Sequence, residues 1–498
     1  MNRSAVPYHR LRSLYPSLFI DVVGGEPRAS KLFRHPWRDP AALVARAKRA
    51  AEKGMEKGVL DALRAYHIDL DAPKESRASL DLLGKGAAIV ITGQQPAVAL
   101  GPLYNLYKAA GAIQLAKEVG AVPVFWNHSD DTRGGESAAF PDREHKVREV
   151  PLPPGEPGKP LYEAGTPEAF RMFVGALGEA LPRTEHTDRV NELLRRTQVG
   201  SIAEAFSRLL LALFGPEGLV VLEPRHLEGE RAAKLFDEHQ RHPERLSKAV
   251  EAGREAVVRE MYEDHLGRDV GLDLFEIKGS RRTRVEAPGA GKGRLSAGVA
   301  LRPLLQDAVL PTCAYVGGPS EVGYQAALGP AYDAFGIEPP VVAPRPTATL
   351  LEPKITRALE GGDLAGALIG EGATAPGPEE DVLRRLEELR ERWTAEAADA
   401  LGPLRGPSLE RALEKTTGKV REALGALSGR VKDELERREE TGRGRRARLL
   451  AHLRPLGKPQ ERVFTPLYYA ALYGPDVLPR LAAALDVRSE SHQRIEIL

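Results

Sequence analysis

The chain has 498 residues, 42% hydrophobic and 28% charged, with 71 Lys+Arg against 70 Asp+Glu. That length predicts several structural units, and the charge balance gives no whole-chain reason to expect nucleic acid as a partner. The one cysteine, Cys313, excludes an intrachain disulfide and a cysteine-based metal site.

The first 70 residues read as mixed, ending in a helical pattern over Ala41–Tyr66. The N-terminus lacks a long apolar core and a small-residue cleavage site, and no apolar run nears the roughly 18 residues of a spanning helix. A cytoplasmic location without membrane contact is therefore expected.

The stretch Ile89–Trp126 carries the most information. A β-branched run stops at Gly93 and a polar loop follows to Gly101-Pro102. Apolar residues then recur at helical spacing, and Val122–Trp126 closes the unit as a second strand. This β-loop-α-β pattern is one crossover long. Ligands of open α/β sheets bind where strands end and helices begin. Thr92, Gln94, Gln95, Gly101, Pro102 and Tyr104 are thus candidate binding residues. Directly after the second strand comes an acidic loop with Asp130, Asp131, Thr132, Arg133 and Glu136. Asp130 and Asp131 form either a solvated surface loop or a catalytic pair, in which crowding raises one pKa and yields a base near neutrality. His128 and His145 fit no metal-ligand template, so no metal is expected.

Residues 155–213 look helical, with Ile202, Phe206, Leu209, Leu210 and Leu213 on one stripe. Leu219–Glu223 reads as a strand, residues 228–266 as charged helix and residues 270–300 as irregular. Gly289–Gly293 mimics a phosphate loop. It lacks the first glycine of that motif and has Gly293 where a Ser or Thr would hold magnesium, so it reads as a surface turn. No standard nucleotide motif occurs, and the cofactor stays unknown, with a nucleotide such as ATP as the candidate.

Chemistry-rich sequence returns over residues 299–352. Ala314–Val316 reads as a strand, Gly317-Gly318-Pro319 as its terminal turn, and Ser320-Glu321 as a helix start that caps the helix or faces a ligand. Gln306, Gly317, Gly318, Glu321 and Tyr324 join the candidate binding residues. So do Arg302 and Arg345, whose guanidinium groups suit carboxylate or phosphate and equally suit an ordinary salt bridge. Cys313 reads as a buried small hydrophobe. Beyond this, Leu383–Leu401 and Leu409–Leu435 carry apolar residues three or four apart, broken at Gly402-Pro403. The pattern predicts a helical hairpin that is either internal or a dimer seam. The final segment again looks helical and is expected to return to the core.

Six blocks in this order resemble the bacillithiol biosynthesis cysteine-adding enzymes, the cysteine ligases. They are Thr92–Ala109, Val122–Asp131, Leu295–Asp307, Leu310–Tyr324, Pro344–Pro353 and Gln460–Arg462. The resemblance runs from about Leu18 to about Val487. It implies an α/β fold, a Rossmann-like core of the nucleotidyltransferase kind with inserted connecting helices, and a C-terminal coiled coil that makes a homodimer. It implies ligation of cysteine to the amine of glucosaminyl-malate. In that scheme Asp130, Asp131 and Glu136 are the catalytic candidates, and Arg302 and Arg345 hold the malate carboxylates. The family loop reads Glu-Asp-His-Asp with a later Glu, so Thr132 and Arg133 replace its His and second Asp, and His128 is expected to point elsewhere. Ser320 stands where the family has Gly, a replacement that would strain a positive φ. The resulting partition places the core in 1–154, 214–227 and 295–376, with connecting segments at 155–213 and 228–294. The coiled coil takes 377–455 and the returning C-terminal segment 456–498.

Overall fold

The computed structural model describes residues 1–266, 270–291, 293–359, 363–370, 379–400, 402 and 406–497. At its centre is a parallel sheet of β1 (Ile89–Gln94), β2 (Val122–Asn127), β3 (Val220–Leu222), β4 (Thr312–Gly317) and β5 (Val341–Pro344). The spatial order is β3-β2-β1-β4-β5, the doubly wound Rossmann arrangement. In register, Gln94 lies beside Asn127, Ile91 beside Tyr315, and Gly317 beside Pro344. Along β2, Val124 and Trp126 enter one apolar core while Phe125 enters the other. That alternation is the period of two of a strand covered on both faces. Helix α1 (Tyr104–Val119) joins β1 to β2, and helix α3 (Pro319–Ala326) follows β4. Their starts, with α2 (Leu301–Val309), surround the carboxyl edge of the sheet.

A smaller sheet ties the two ends of the chain together. Asn2–Pro7 pairs antiparallel with Ser491–Glu496, which pairs parallel with Ala348–Leu351. Three helices, Pro167–Ala180, Thr187–Arg195 and Ile202–Phe214, lie between β2 and β3. Between β3 and β4, helices Glu230–Arg241 and Glu244–Arg259 precede a small antiparallel sheet of Leu274–Lys278, Arg281–Arg284 and Arg294–Ala297. Residues 270–300 are therefore not irregular. Gly279, at φ 55°, makes a two-residue turn that sets Lys278 opposite Arg281, and such turns favour residues that accept positive φ. The arginines of these strands hide them from a hydrophobic pattern, and two of them, Arg282 and Arg294, reach the acidic loop.

The late helices α4 (Glu379–Ala400) and α5 (Pro407–Leu453) pack on each other as a hairpin. Leu413, Val420, Leu424 and Val431 are partly buried, whereas Leu389, Leu409 and Leu427 are exposed. Leu401 and the 376/377 boundary lie outside the described residues. Phe464, Leu467, Tyr468 and Leu478 of the C-terminal segment are buried in the second core.

Candidate active site

From β1 the chain crosses to β2, and from β4 it crosses to β5 on the other side. The loops that leave these two neighbours diverge and open a crevice, as at the switch points of other doubly wound sheets. A cleft of about 450 Å³ lies there, lined among others by Gln94, Gln95, Tyr104, His128, Gly318 and Tyr324. Five cationic side chains, Lys108, Arg302, Arg345, Lys458 and Arg462, line it against one carboxylate, Glu321. Lys108, Arg302 and Arg345 are each paired with a carboxylate, so the charge that favours an anionic ligand is that of Lys458 and Arg462.

The wall nearest β2 is built by the acidic loop. Arg302 holds Asp131 through both nitrogens, with Nη2–Oδ1 at 2.6 Å and Nη1–Oδ2 at 3.3 Å. Gln95 Nε2 donates to Asp131 Oδ2 at 3.0 Å, and Arg282 lies 3.4 Å from Oδ1. Burial alone would raise the Asp131 pKa, but the guanidinium groups of Arg302 and Arg282 outweigh it and hold the carboxyl down to about 2. Asp130 is gripped by Arg294, at 2.5 and 3.1 Å. The two carboxylates therefore do not crowd each other into a neutral-pH base, because each faces its own arginine. Asp131 is held as an anion that positions Arg302, and Asp130 is tied to Arg294.

Opposite them, buried Lys108 projects from α1. Its Nζ donates to Gly93 O at 2.5 Å, Gln94 Oε1 at 2.9 Å and Glu321 Oε1 at 2.5 Å. These three acceptors use the ammonium's three hydrogens. Burial lowers the Lys108 pKa, countered by Glu321. Glu321 also accepts the Gly318 N–H at 2.5 Å, which joins the turn after β4 to α1. Gln94 and Gln95 are linked at 3.0 Å. A polar chain therefore runs from Glu321 through Lys108, Gln94, Gln95 and Asp131 to Arg302. It ends on His128, whose Nδ1 lies 3.0 Å from Arg302 Nη1.

The structure gathers Gln94, Gln95, Tyr104, Asp131, Arg302, Gly318, Glu321, Tyr324 and Arg345 at or against this cleft. It does not bring the whole expected set there. Thr92 is buried, its hydroxyl donating to Val316 O at 2.8 Å, so it ties β1 to β4. Gly101 is buried against Thr465 and its carbonyl accepts from Asn105; neither it nor Pro102 lines the cleft. Gln306 is spent on Asp307 behind the site, and Gly317 lies under Glu321. Glu136 is exposed at the start of a hairpin, away from the lining. Asp130 faces Arg294 on the far side of the loop. Arg302 and Arg345 do not offer free charge. Arg345 makes a buried double ion pair with Glu461, at 2.6 and 3.2 Å. By contrast, Lys458 and Arg462 are exposed at the mouth with no carboxylate partner among the described residues.

Lining residues outside the expected binding set include Lys108, His128, Lys458 and Arg462. Lys108 follows Tyr104 by four residues on α1, the helical spacing that puts two side chains on one face, and this signal was available. His128 sits one residue beyond β2 and turns into the cleft, so it does not point elsewhere. Its ring stands edge-to-face on Trp126, 5.6 Å between centroids. Among the described residues no group of three or more His, Cys, Asp or Glu side chains could hold a metal ion. No helix among them is long and apolar enough to cross a membrane. Cys313 is fully buried, and burial pushes its thiol up to about 12.

Two family models match this chain. The one described as bacillithiol biosynthesis BshC, N-terminal Rossmann-like domain, covers residues 1–293 and 290–346, and the BshC C-terminal coiled-coil domain covers 404–497. The chain belongs to the BshC family. Relatives named "Putative cysteine ligase BshC" match over nearly their whole length. The protein of Salinibacter ruber is 29% identical over 97% of this chain and 96% of its own. That of Geobacillus kaustophilus is 30% identical over 94% and 95%, and that of Prosthecochloris aestuarii 28% over the full length of both. Within this BshC member the departures from the family loop are mild in their structural effect. Arg133 is exposed and does not line the cleft, and Thr132 is half-buried. Ser320 sits in the first turn of α3 with no positive φ, so no strain follows from it.

Proposed function

We propose that this protein is a cysteine ligase of bacillithiol biosynthesis that joins the carboxyl of cysteine to the amine of glucosaminyl-malate. The new C–N bond replaces a C–O bond of the carboxyl, and the amine gives up a proton. In water this is uphill from a free carboxylate, so the departing oxygen must leave on an activating group. A nucleoside triphosphate is the candidate source. The observation that carries the reading is the cationic cleft at the β1/β4 switch point, its wall organised by Asp131–Arg302 and Lys108–Glu321. Both proposed substrates bear carboxylates, which suits that charge. Arg133 lies outside the cleft, which supports an open working site over a blocked one.

Asp131 and Asp130 serve here as anchors for Arg302 and Arg294, and Glu136 has no part in the cleft. Lys458 and Arg462 have charge free for the malate group. The proposal includes a homodimer through the hairpin of α4 and α5, supported by Leu389, Leu409 and Leu427, 40–46% exposed on its surface. A second reading, a ligase for a different amine acceptor, is favoured by Thr132 and Arg133 in the loop. The deciding experiment incubates purified protein with cysteine, glucosaminyl-malate and ATP, and identifies thiol products by mass. Bacillithiol formation supports the first reading. Consumption of cysteine and ATP only with another amine supports the second, and no product with any amine overturns both.

A further inference from the structure

The Arg302–His128 contact fixes more than a position. A guanidinium has only donors, so in the 3.0 Å contact with Arg302 Nη1 the His128 Nδ1 must be the acceptor. A neutral imidazole that accepts at Nδ1 carries its hydrogen on Nε2. His128 Nε2 has no protein partner among the described residues, although the ring is 9% exposed and lines the cleft. Its position is set by the absence of a side chain beneath it. A Cβ on Gly93 would lie 2.6 Å from Nε2 and 3.3 Å from Cε1. Trp126 supports the ring edge-on from β2.

Resting on the ligase reading, we infer that His128 is held by Arg302 as the Nε2–H tautomer and donates that hydrogen to a carboxyl oxygen of the bound substrate. Asp131 is then a positioning residue that acts through Arg302. The donor stays neutral at working pH for two reasons: burial, then the adjacent Arg302, with Lys108 adding in the same sense and Asp131 opposing. A neutral donor aimed at a carboxyl oxygen stabilises charge that grows there as the amine attacks, and it needs no proton transfer. This differs from a proton-shuttling histidine, which would titrate near neutrality.

The test uses full-length protein labelled with ¹⁵N-histidine, with His128→Gln identifying the His128 resonances. The expected spectrum shows a protonated Nε2 and an unprotonated Nδ1, unchanged from about pH 8 to about pH 5.5. In Arg302→Gln the tautomer preference should disappear and titration should return towards the ordinary histidine range. L-cysteine and L-malate are then added separately as probes; L-cysteine should shift the Nε2–H resonance, because its carboxyl is the one attacked, and a shift with L-malate alone would overturn the charge-stabilising role. Turnover by His128→Leu should fall about 10²-fold or more, with partial retention in His128→Gln, which keeps a side-chain N–H. An Nδ1–H tautomer, titration near neutrality in the wild type, or no response to either probe overturns the inference. A responding Nε2–H in a protein that makes no bacillithiol would leave the donor standing and remove the ligase reading instead.

Discussion

Lys108 Nζ lies 2.5 Å from Glu321 Oε1, and this contact pins α1 to α3 across the point where the two sets of crossovers diverge. The pair is largely buried, with side chains 3% and 15% exposed. Breaking a buried pair by removing one partner leaves a stranded charge, at a cost of about 3–5 kcal/mol. Lys108→Met should therefore lower the stability by about that amount and widen the cleft mouth. Adding Glu321→Leu to Lys108→Met should recover much of the stability, since a buried pair replaced by apolar groups is often neutral, but should not recover ligase activity. Urea denaturation beside turnover separates the two effects. A double variant as active as wild type would show that the pair only holds the fold.

Asp131 gives a pH-dependent prediction. Its carboxyl is held at about 2 in the folded protein against 3.8 in the open chain. A depressed carboxyl pKa contributes stability that is complete above the unfolded value and is lost as pH falls through the folded one. The window thus runs from about pH 4 down to about pH 2, and the contribution is about 2 kcal/mol at neutral pH. Asp131→Asn should be less stable than wild type at pH 7, and the gap should close across that window. Turnover should fall about 10²-fold with the fold intact, the scale expected when a positioning group is displaced. Equal denaturation midpoints at neutral pH would refute the ion-pair argument, and normal turnover would refute the positioning role.

Gly93 is a separate check on the geometry of the cleft floor. An added Cβ would meet the His128 ring at 2.6 Å and the Trp126 carbonyl at 3.0 Å. The ring can swing away, but the backbone oxygen cannot move far. Gly93→Ala should cost about 1–3 kcal/mol, as overpacking does, and should reduce turnover more than it changes the KM for cysteine. Thermal melting with steady-state kinetics reads both. A fully active Gly93→Ala would mean that the His128 ring does not need its present place.

Much of the core was legible in the chain because parallel strands buried on both faces leave short, dense apolar runs. Ile89–Thr92, Val122–Trp126 and Ala314–Val316 are such runs; Gly93 and Gly317 are not turns but paired residues of β1 and β4, which run to Gln94 and Gly317. The strand-end rule located the crevice, yet it could not separate residues facing the cleft from those facing a neighbouring strand. Thr92 is the example: its hydroxyl is satisfied by Val316, a strand-to-strand bond no local pattern encodes. The charge partners were equally invisible. Arg302 meets Asp131 across 171 positions, and Arg345 meets Glu461 across 116, so only the fold reveals that both arginines are already neutralised. The strands Arg281–Arg284 and Arg294–Ala297 show no hydrophobic pattern, because Arg282 and Arg294 serve the acidic loop rather than a hydrophobic face.

The Arg345–Glu461 pair carries a prediction about the C-terminal segment. Its side chains are 2% and 1% exposed, and Glu461 also accepts the Ala348 N–H at 3.3 Å. The pair therefore joins the segment after the coiled coil to the edge strand Ala348–Leu351, which pairs with the C-terminal strand Ser491–Glu496. Glu461→Gln keeps the shape and removes the charge. It should cost about 3–5 kcal/mol and loosen the segment first, seen as faster hydrogen exchange over residues 456–473 than over β1. Unchanged exchange in that segment would show that Phe464, Leu467 and their neighbours hold it without the pair.

The hairpin of α4 and α5 sets the last prediction. Its inner face is already used: Leu413, Val420, Leu424 and Val431 are partly buried within the one chain. Substituting Leu424 or Val431 would break the hairpin itself and say little about assembly. Leu389, Leu409 and Leu427 instead remain 41%, 40% and 46% exposed. Apolar residues repeated along an exposed helical surface mark a contact with another helix, and a second copy satisfies it with two-fold symmetry. Leu389→Glu with Leu427→Glu should leave the hairpin and the core folded, because both side chains point outward, while placing charge in any seam between copies. Light scattering should give a dimer for wild type at micromolar concentration and a monomer for the double variant, with unchanged helical circular dichroism. A monomeric wild type, or a double variant that stays dimeric, would remove this face as the seam and leave the hairpin an internal element.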